Sequence, residues 1–147
     1  MARVTFGKAD ATNPGDDLNA ITGVDLSTNA KTLDAAGGDL GDDNGIMLIS
    51  SPRGRAFLLV QNGNSDNACD VTAVSTQEVT EGSSGTLEVE DPVVSIPADG
   101  SAIIGPFSQN FELASPNAGK VAIDFADGGG VGSLAATDIT LNALHLV

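Results

Sequence analysis

Apolar residues beyond position 45 occur in short runs that are separated by clusters of Gly, Pro, Asn, Asp and Ser. Such runs are typical of β-strands joined by turns. The pattern predicts at least seven strands, with candidate runs at 46–50, 56–61, 70–75, 86–90, 93–96, 102–104, 120–125 and 139–147. Amphipathic crossover helices are not seen between these runs, so parallel βαβ units are not expected. We therefore predict an all-β fold, either an antiparallel β-sandwich or a jelly-roll-like β-barrel.

The order of polar and apolar positions indicates how individual strands face the core. Val121, Ile123 and Phe125 alternate with polar or small residues and share one face of a strand. Residues 57–60 are apolar throughout, which predicts a central strand. In the last run the apolar parity changes after Ala143, which predicts a β-bulge or a strand that is covered on both faces. We expect an intersubunit contact at that strand.

Residues 1–45 have a different composition, with Gly, Ala, Asp, Asn and Thr dominating and apolar residues such as Val4 and Phe6 scattered. A segment of this kind gains little by collapsing alone and is expected to order on a partner. We predict an extended acidic N-terminal arm at 1–45, followed by the β-sandwich or barrel domain at 46–147. A short helix over 28–36 is also compatible with the sequence.

Two short segments carry turn chemistry. Residues 62–66 read Asn-Gly-Asn-Ser-Asp, and residues 97–100 read Pro-Ala-Asp-Gly. Asn, Asp and Gly tolerate positive φ, and Pro is favoured early in a turn. Because each segment lies between two apolar runs, the sequence predicts two antiparallel hairpins.

The composition narrows the class of partner. Over 147 residues, 20 acidic residues face 6 basic ones, for a formal net charge of −14. A nucleic-acid partner is not expected, because such binders carry a basic footprint. The acidity favours docking onto a basic surface or reflects a salty medium. Apolar runs are too short to span a bilayer and the start lacks a secretion signal, so we expect a protein made in the cytosol that does not enter a membrane.

Residues that could carry catalysis are few. The chain has one histidine, His145, inside an apolar run, and one cysteine, Cys69. Asp70 beside Cys69 should raise the pKa of the thiol and so leave it unreactive. Glu88 and Glu90 share a strand face with no aromatic sugar platform nearby. We predict no catalytic residues, no cofactor and no enzymatic activity.

Acidic and glycine-rich segments raise the question of ion binding. Asn62, Asn64 and Asp66 alternate as in an EF-hand loop, but the Gly and the final Glu of that motif are replaced by Asn67 and Ala73. Asp39, Asp42 and Asp43 form a second candidate cluster. The Gly-rich segment 128–132 lacks the spacing of a dinucleotide-binding or phosphate-binding loop and is expected to be flexible. For all of these segments the sequence favours solvated turns over a metal site.

Several segments occur in a characteristic order. They are GRAFLLVQN at 54–62, DVTAV at 70–74, VSIPADG at 94–100, IIGPF at 103–107, KVAIDF at 120–125 and the closing run at 139–147. Together they resemble the head decoration or auxiliary capsid proteins that are encoded in the structural gene clusters of tailed viruses. The most specific segment is the Pro-Ala-x-Gly turn that leads into Gly-Pro-Phe. The first 45 residues and the long Asp/Gly-rich insertion at 126–134 depart from the family pattern.

The resemblance implies a barrel or sandwich that forms a homotrimer at threefold positions of the viral shell and reinforces it. The expected partner is the major capsid protein lattice, and the expected location is the outside of the virion. Residues chosen for capsid or subunit contacts are Val4, Phe6, Arg53, Arg55 and Phe107. Phe107 suits either the core or an interface patch, and the core is favoured. The alternative is a carbohydrate-binding or adhesive module of a virion fibre, stabilised by calcium. The absence of Trp and Tyr argues against it.

Overall fold

The computed structural model of this chain describes residues 4–6, 16–17, 31–32, 44–50, 55–76, 78–80, 86–88 and 91–145. These residues form two five-stranded sheets and one separate two-stranded hairpin, which confirms the predicted all-β fold. Helical structure in these ranges is limited to two 3-10 turns, Gln109–Phe111 and Ala136–Asp138. In this part of the chain no helix has the length and hydropathy needed to cross a membrane.

The first sheet consists of β1 (Val4–Phe6), β4 (Asn44–Ile49), β11 (Lys120–Gly130), β6 (Asn67–Ala73) and β9 (Val93–Ile96). These strands lie side by side in the order β1-β4-β11-β6-β9. All neighbours are antiparallel except β1 and β4, which run parallel.

The second sheet consists of β10 (Ser101–Ile104), β5 (Ala56–Asn62), β12 (Ile139–His145), β2 (Asp16–Asp17) and β3 (Lys31–Thr32). The strand order is β10-β5-β12-β2, and β3 also pairs with β12. Only β2 runs parallel to its neighbour. The separate hairpin consists of β7 (Glu78–Thr80) and β8 (Thr86–Glu88).

The core lies between the two sheets and is built from the alternate residues that the period of two places inside. The first sheet contributes Val121, Ile123 and Phe125, all at most 1% exposed, and the second contributes Leu58 and Val60 at 0%. Residues 57–60 belong to β5, which lies between β10 and β12, so the predicted central strand is confirmed. These strands form because β-branched and aromatic residues pack well on a pleated, buried surface.

β12 is buried on both faces. Leu141 and Ala143 face the core, while Asn142 and Leu144 on the other face are 1% and 3% exposed. The register against β5 is continuous along the whole strand, so there is no bulge and the second of the two predicted arrangements is the one observed. Burial of both faces occurs within one chain, and the predicted intersubunit contact at this strand stays a prediction.

Both predicted hairpins are wrong. Residues 62–66 connect β5 in the second sheet to β6 in the first, and residues 97–100 connect β9 in the first sheet to β10 in the second. The turn residues reverse the chain as expected, but the flanking strands separate into opposite sheets and do not pair. The two connections lie side by side, because the Asp99 N–H donates to the Asn64 carbonyl at 2.9 Å.

Two further expectations are corrected. The short helix considered for 28–36 is not formed at Lys31 and Thr32, which make strand β3, and the rest of that range lies outside the described residues. Of the segment 128–132, which was expected to be a flexible loop, the first three residues belong to β11. The ladder between β11 and β6 shifts register between Asp127 and Gly130, so the glycines continue the strand across an irregularity.

The described parts of the N-terminal 45 residues are strands of the sandwich. β1 pairs with β4, with Val4 opposite Ile46 and Phe6 opposite Leu48. β2 and β3 both pair with β12. These additions lie on the side of the sandwich that is opposite β9 and β10.

Candidate interaction surface

The two strands at one side of the sandwich, β9 and β10, have a pairing partner on one side only among the described residues. β9 is the last strand of the first sheet and β10 is the first strand of the second. We call these two strands, with the groove between them, the open edge. The opposite side differs, because β1 and β2 extend the sheets beyond β4 and β12 there.

The backbone of β9 presents hydrogen-bonding groups outward at two residues. The Ala73 N–H donates to the Pro92 carbonyl at 3.2 Å, which fixes the phase of the antiparallel ladder between β6 and β9. Because paired residues alternate along such a ladder, Val94 bonds to β6, while the N–H and C=O groups of Val93 and Ser95 point away from it. No other described strand pairs with these groups, so they suit the addition of a further strand.

The backbone of β10 follows the same rule. The Asn62 N–H donates to the Gly100 carbonyl at 2.9 Å, so Ala102 belongs to the bonded pairs with β5. Ser101 and Ile103 therefore direct their N–H and C=O groups outward. Each strand of the open edge thus offers two residues for pairing.

The open edge also exposes large apolar side chains. Val93 is 57% exposed, Val94 is 38% exposed and Ile103 is 63% exposed, whereas the large side chains at the centre of the sandwich are fully buried. Alternation places Val93 and Ile103 on the outer faces of their sheets and Val94 toward the space between them. Apolar surface therefore continues around the rim of the edge, which is the kind of patch that marks an interaction site.

A groove of about 160 Å³ lies between the two edge strands. It is apolar, and its lining includes Val71, Ala73, Val94, Ile104, Phe107 and Phe111. The rings of Phe107 and Phe111 meet edge to face, with centroids 6.3 Å apart and planes at 75°. Apolar cavities of about 150 Å³ hold a group the size of benzene. The groove therefore has room for one large apolar side chain.

The segment that builds the open edge is almost free of charge. Residues 92–111 contain one ionisable residue, Asp99, in a chain with a formal net charge of −14. Pro92, Pro97 and Pro106 bracket the two strands, and proline at such positions stops a sheet from extending further along the chain. The edge is short, neutral and bounded.

The sequence-predicted contact residues are only partly brought together. Phe107 is 5% exposed and belongs to the core, and its ring forms one wall of the groove. Arg55 is exposed and directly precedes Ala56, whose carbonyl lies close to Gly105 near the same end of the groove. Arg53 lies outside the described residues. The backbones of Val4 and Phe6 lie in β1, on the other side of the sandwich.

Sequence reasoning missed Val93, Val94 and Ile103 as surface residues. The signal was present in the doubled apolar residues, Val-Val in β9 and Ile-Ile in β10. In a strand, neighbouring side chains point to opposite faces, so a doubled apolar pair places one residue outside a two-layer sandwich. In β5 and β12 the second face is covered, and in β9 and β10 it is exposed.

In the loop at 62–66, which was a candidate for calcium binding, the side-chain oxygens of the two asparagines accept hydrogen bonds from the backbone. The Asn62 Oδ1 accepts from the Asn64 N–H at 3.0 Å, and the Asn64 Oδ1 accepts from the backbone N–H groups of Asp66 and Asn67 at 2.9 and 2.8 Å. These are the local turns that Asn side chains commonly form. Of the described residues, no group of three or more His, Cys, Asp or Glu is placed to hold a metal ion. The second candidate cluster, at 39–43, lies outside them.

A polar network fixes the end of β11. The Asn67 Nδ2 donates to both carboxylate oxygens of Asp127 at 3.0 Å, and the N–H groups of Gly129 and Leu134 donate to the same carboxylate at 2.8 and 3.0 Å. These hydrogen bonds hold the pKa of Asp127 below its ordinary value, and the bond from Asn67 has the largest effect. The carboxylate of Asp127 therefore ties the end of β11 to the start of β6 and to the loop that follows β11.

Neither Cys69 nor His145 is accessible. Cys69 is 0% exposed, and burial, followed by the charges of Asp70 and Asp127, raises the pKa of its thiol to about 12. The prediction that Asp70 raises this pKa is confirmed, with burial as the larger cause. His145 is 6% exposed at the end of β12. Among the described residues the open edge is therefore the best candidate for function.

Comparison with known proteins adds no relative: no protein-family model, no curated protein and no solved structure matches the chain.

Proposed function

We propose that the protein is a non-catalytic virion structural protein that decorates and reinforces a capsid by docking its open edge onto the lattice of the major capsid protein. The observation that carries the proposal is the open edge itself, where exposed Val93 and Ile103 flank an apolar groove. The order of segments along the chain, which resembles tailed-virus decoration proteins, supplies the identity of the partner.

The physics of a lattice suits an interface of this size. The open edge offers three exposed apolar side chains and the outward backbone groups of four residues, two of which belong to both sets. Burying one large apolar side chain contributes about 1.5–3 kcal/mol at most, so a single contact is modest. A shell presents the same site many times, and a homotrimer would engage three sites at once. Linked contacts of this kind raise the total affinity without any stronger single contact.

The net charge of the protein and the neutral open edge act at different stages of binding. The net charge of −14 attracts the protein to a basic shell surface over a distance set by the salt concentration. The neutral edge then makes close contact with little charge to desolvate. The association rate should therefore fall with added salt, while the dissociation rate should change little.

Co-sedimentation with purified shells tests the proposal. The protein is titrated onto expanded capsids and onto unexpanded procapsids of the source virus, and bound copies are counted. Saturable binding to expanded capsids, at a copy number that matches the lattice symmetry, is the expected result. If neither shell binds the protein, the decoration role is wrong.

Matched surface variants locate the contact. Ile103→Lys places a charge on the exposed outer face of β10, within the open edge, and should weaken shell binding by more than about tenfold. Val131→Lys is the control, because Val131 is 86% exposed in the loop after β11 and lies outside the open edge. Equal loss of binding in both variants would show that exposed apolar surface in general, and not the open edge, carries the contact.

A further inference from the structure

We infer that the open edge binds one extended segment of the capsid protein, uncharged and apolar at its centre, as an added strand along β9, with one large apolar side chain of that segment in the groove. This inference rests on the proposed function and names the chemistry of the partner at the same site. It is argued from the outward backbone groups, the shape of the groove and the charge of the edge.

The backbone argument selects β9. Its residues 93–95 are all exposed, and Val93 and Ser95 present their N–H and C=O groups away from β6. An added strand satisfies its own amides against these groups, and main-chain hydrogen bonds then supply affinity that depends little on sequence. On β10 the corresponding outward residues are Ser101 and Ile103, and the inward residues Ala102 and Ile104 are already half-buried against the core.

The groove argument sets the side chain. A strand added to β9 directs every second side chain toward the space between the sheets, where Val94 and Ile104 form the rim of the groove. The volume of about 160 Å³ fits one aromatic or branched side chain. Specificity in strand addition comes from such pockets, which read alternate side chains of the added segment.

The charge argument excludes a charged side chain in the groove and disfavours a second copy of this chain at the open edge. Asp99 is the one ionisable residue in 92–111, so a charged side chain in the groove would lose its hydration without gaining a partner. A second copy of this chain also carries −14, so that two copies repel each other as they approach. A capsid segment that is apolar at its centre and basic around it meets both conditions.

The length of the edge limits the segment. β9 has four residues and is bracketed by Pro92 and Pro97. Proline interrupts a ladder because it lacks the N–H donor. Pairing is therefore confined to a short stretch, which allows one strand to add and prevents open-ended sheet growth.

Proline substitution tests whether backbone bonding is used. Ser95→Pro removes an outward N–H that β6 does not use, so the ladder between β6 and β9 keeps its bonds. Ser95→Ala removes only the hydroxyl. Ser101→Pro makes the equivalent change on β10. Before binding is measured, an unfolding transition recorded by circular dichroism checks that each variant is folded.

The probe is a set of overlapping 15-residue peptides that covers the major capsid protein of the source virus, each labelled with a fluorophore for polarisation titration. One short region with an uncharged apolar centre should bind wild type and Ser95→Ala alike, and Ser95→Pro about tenfold or more weakly. Ser101→Pro should bind as wild type does. Val94→Phe, which narrows the groove, should weaken the peptide with the largest central side chain most.

Several results would overturn the inference, and they can be distinguished from a failure of the proposed function. Shell binding with no peptide binding would show that the lattice is recognised without strand addition. Equal binding by Ser95→Pro and wild type would exclude pairing along β9, and selective loss in Ser101→Pro would move the added strand to β10. A wild-type oligomer that Ser95→Pro disperses, measured by light scattering, would show that a second copy occupies the edge. Failure of shell binding itself would reject the proposed function.

Discussion

Replacing Asn62 should destabilise the fold, because its buried side chain makes several hydrogen bonds at this end of the sandwich. Asn62 is 2% exposed, and its Nδ2 donates to the carbonyls of Asn67 at 2.8 Å, Pro97 at 3.2 Å and Ile96 at 3.4 Å. Its Oδ1 accepts from the Asn64 N–H at 3.0 Å. One side chain therefore joins two of the connections that carry the chain from one sheet to the other.

The size of the effect follows from these bonds. Two amide hydrogens shared among three carbonyls, with one accepted bond, amount to about three hydrogen bonds, each with a net contribution of about 0.5–1.5 kcal/mol. Alanine also leaves buried carbonyls with fewer partners, which adds to the cost. We expect Asn62→Ala to lower the free energy of unfolding by about 2–4 kcal/mol.

Urea unfolding followed by circular dichroism measures the change, because the chain has no Trp or Tyr for fluorescence. Gln61→Ala is the matched control, since Gln61 is the exposed neighbour on the same strand and its loss should stay within about 0.5 kcal/mol. A difference between the two variants below about 1 kcal/mol would refute the assignment of this network as a link between the sheets.

Three further outcomes are expected. Gly130→Ala should lower the melting temperature more than Gly128→Ala, because a Cβ at Gly130 collides with backbone at the start of β6, whereas one at Gly128 meets mainly side-chain atoms; equal melting temperatures would contradict this. Hydrogen bonding from Asn67 lowers the pKa of Asp127, so its contribution to stability is present above the unfolded pKa of about 4 and is lost as the pH falls through the lower folded pKa. The stability gap between wild type and Asp127→Asn, measured by urea unfolding, should therefore close toward about pH 2, and a constant gap would be contrary to the sign of this shift. Cys69 should resist a disulfide-exchange reagent at pH 8 in the native protein and react fully in denaturant, and rapid native reaction would be inconsistent with its burial.

The positions of the strands could be predicted because burial imposes a period of two on the sequence. The run predicted at 93–96 coincides with β9, and the runs at 56–61 and 102–104 fall one residue short of β5 and β10. β11 continues five residues beyond the predicted end, through glycines that carry no hydrophobic signal. The hydrophobic pattern predicts a strand where alternate side chains face the core. It does not predict the part of a strand, such as the end of β11, that is held by backbone pairing alone.

The partners of the strands could not be predicted from local sequence. The Asn62 and Pro97 turns reverse the chain as well as any hairpin turn does, yet the strands on either side enter different sheets. That choice depends on contacts between segments far apart in the chain, such as the bonds from Asn62 to Ile96 and Pro97. The doubled apolar residues of β9 and β10 show that one residue of each pair faces outward, but whether that outer face is covered, as in β12, or exposed, as at Val93, depends on the arrangement of the strands.

The position of β12 has a consequence for how the chain matures on the ribosome. Thr140 pairs with Gln61, and β12 lies between β5 and the N-terminal strand β2. Such distant pairings make closure slow, because a long loop must be ordered before any contact forms. Until residues 139–145 leave the exit tunnel, the edge of β5 that pairs with β12 is open, and the core lacks the apolar side chains that β12 contributes to it. Exposed apolar surface and an unpaired strand edge favour aggregation, so the chain is most vulnerable just before its last strand is made.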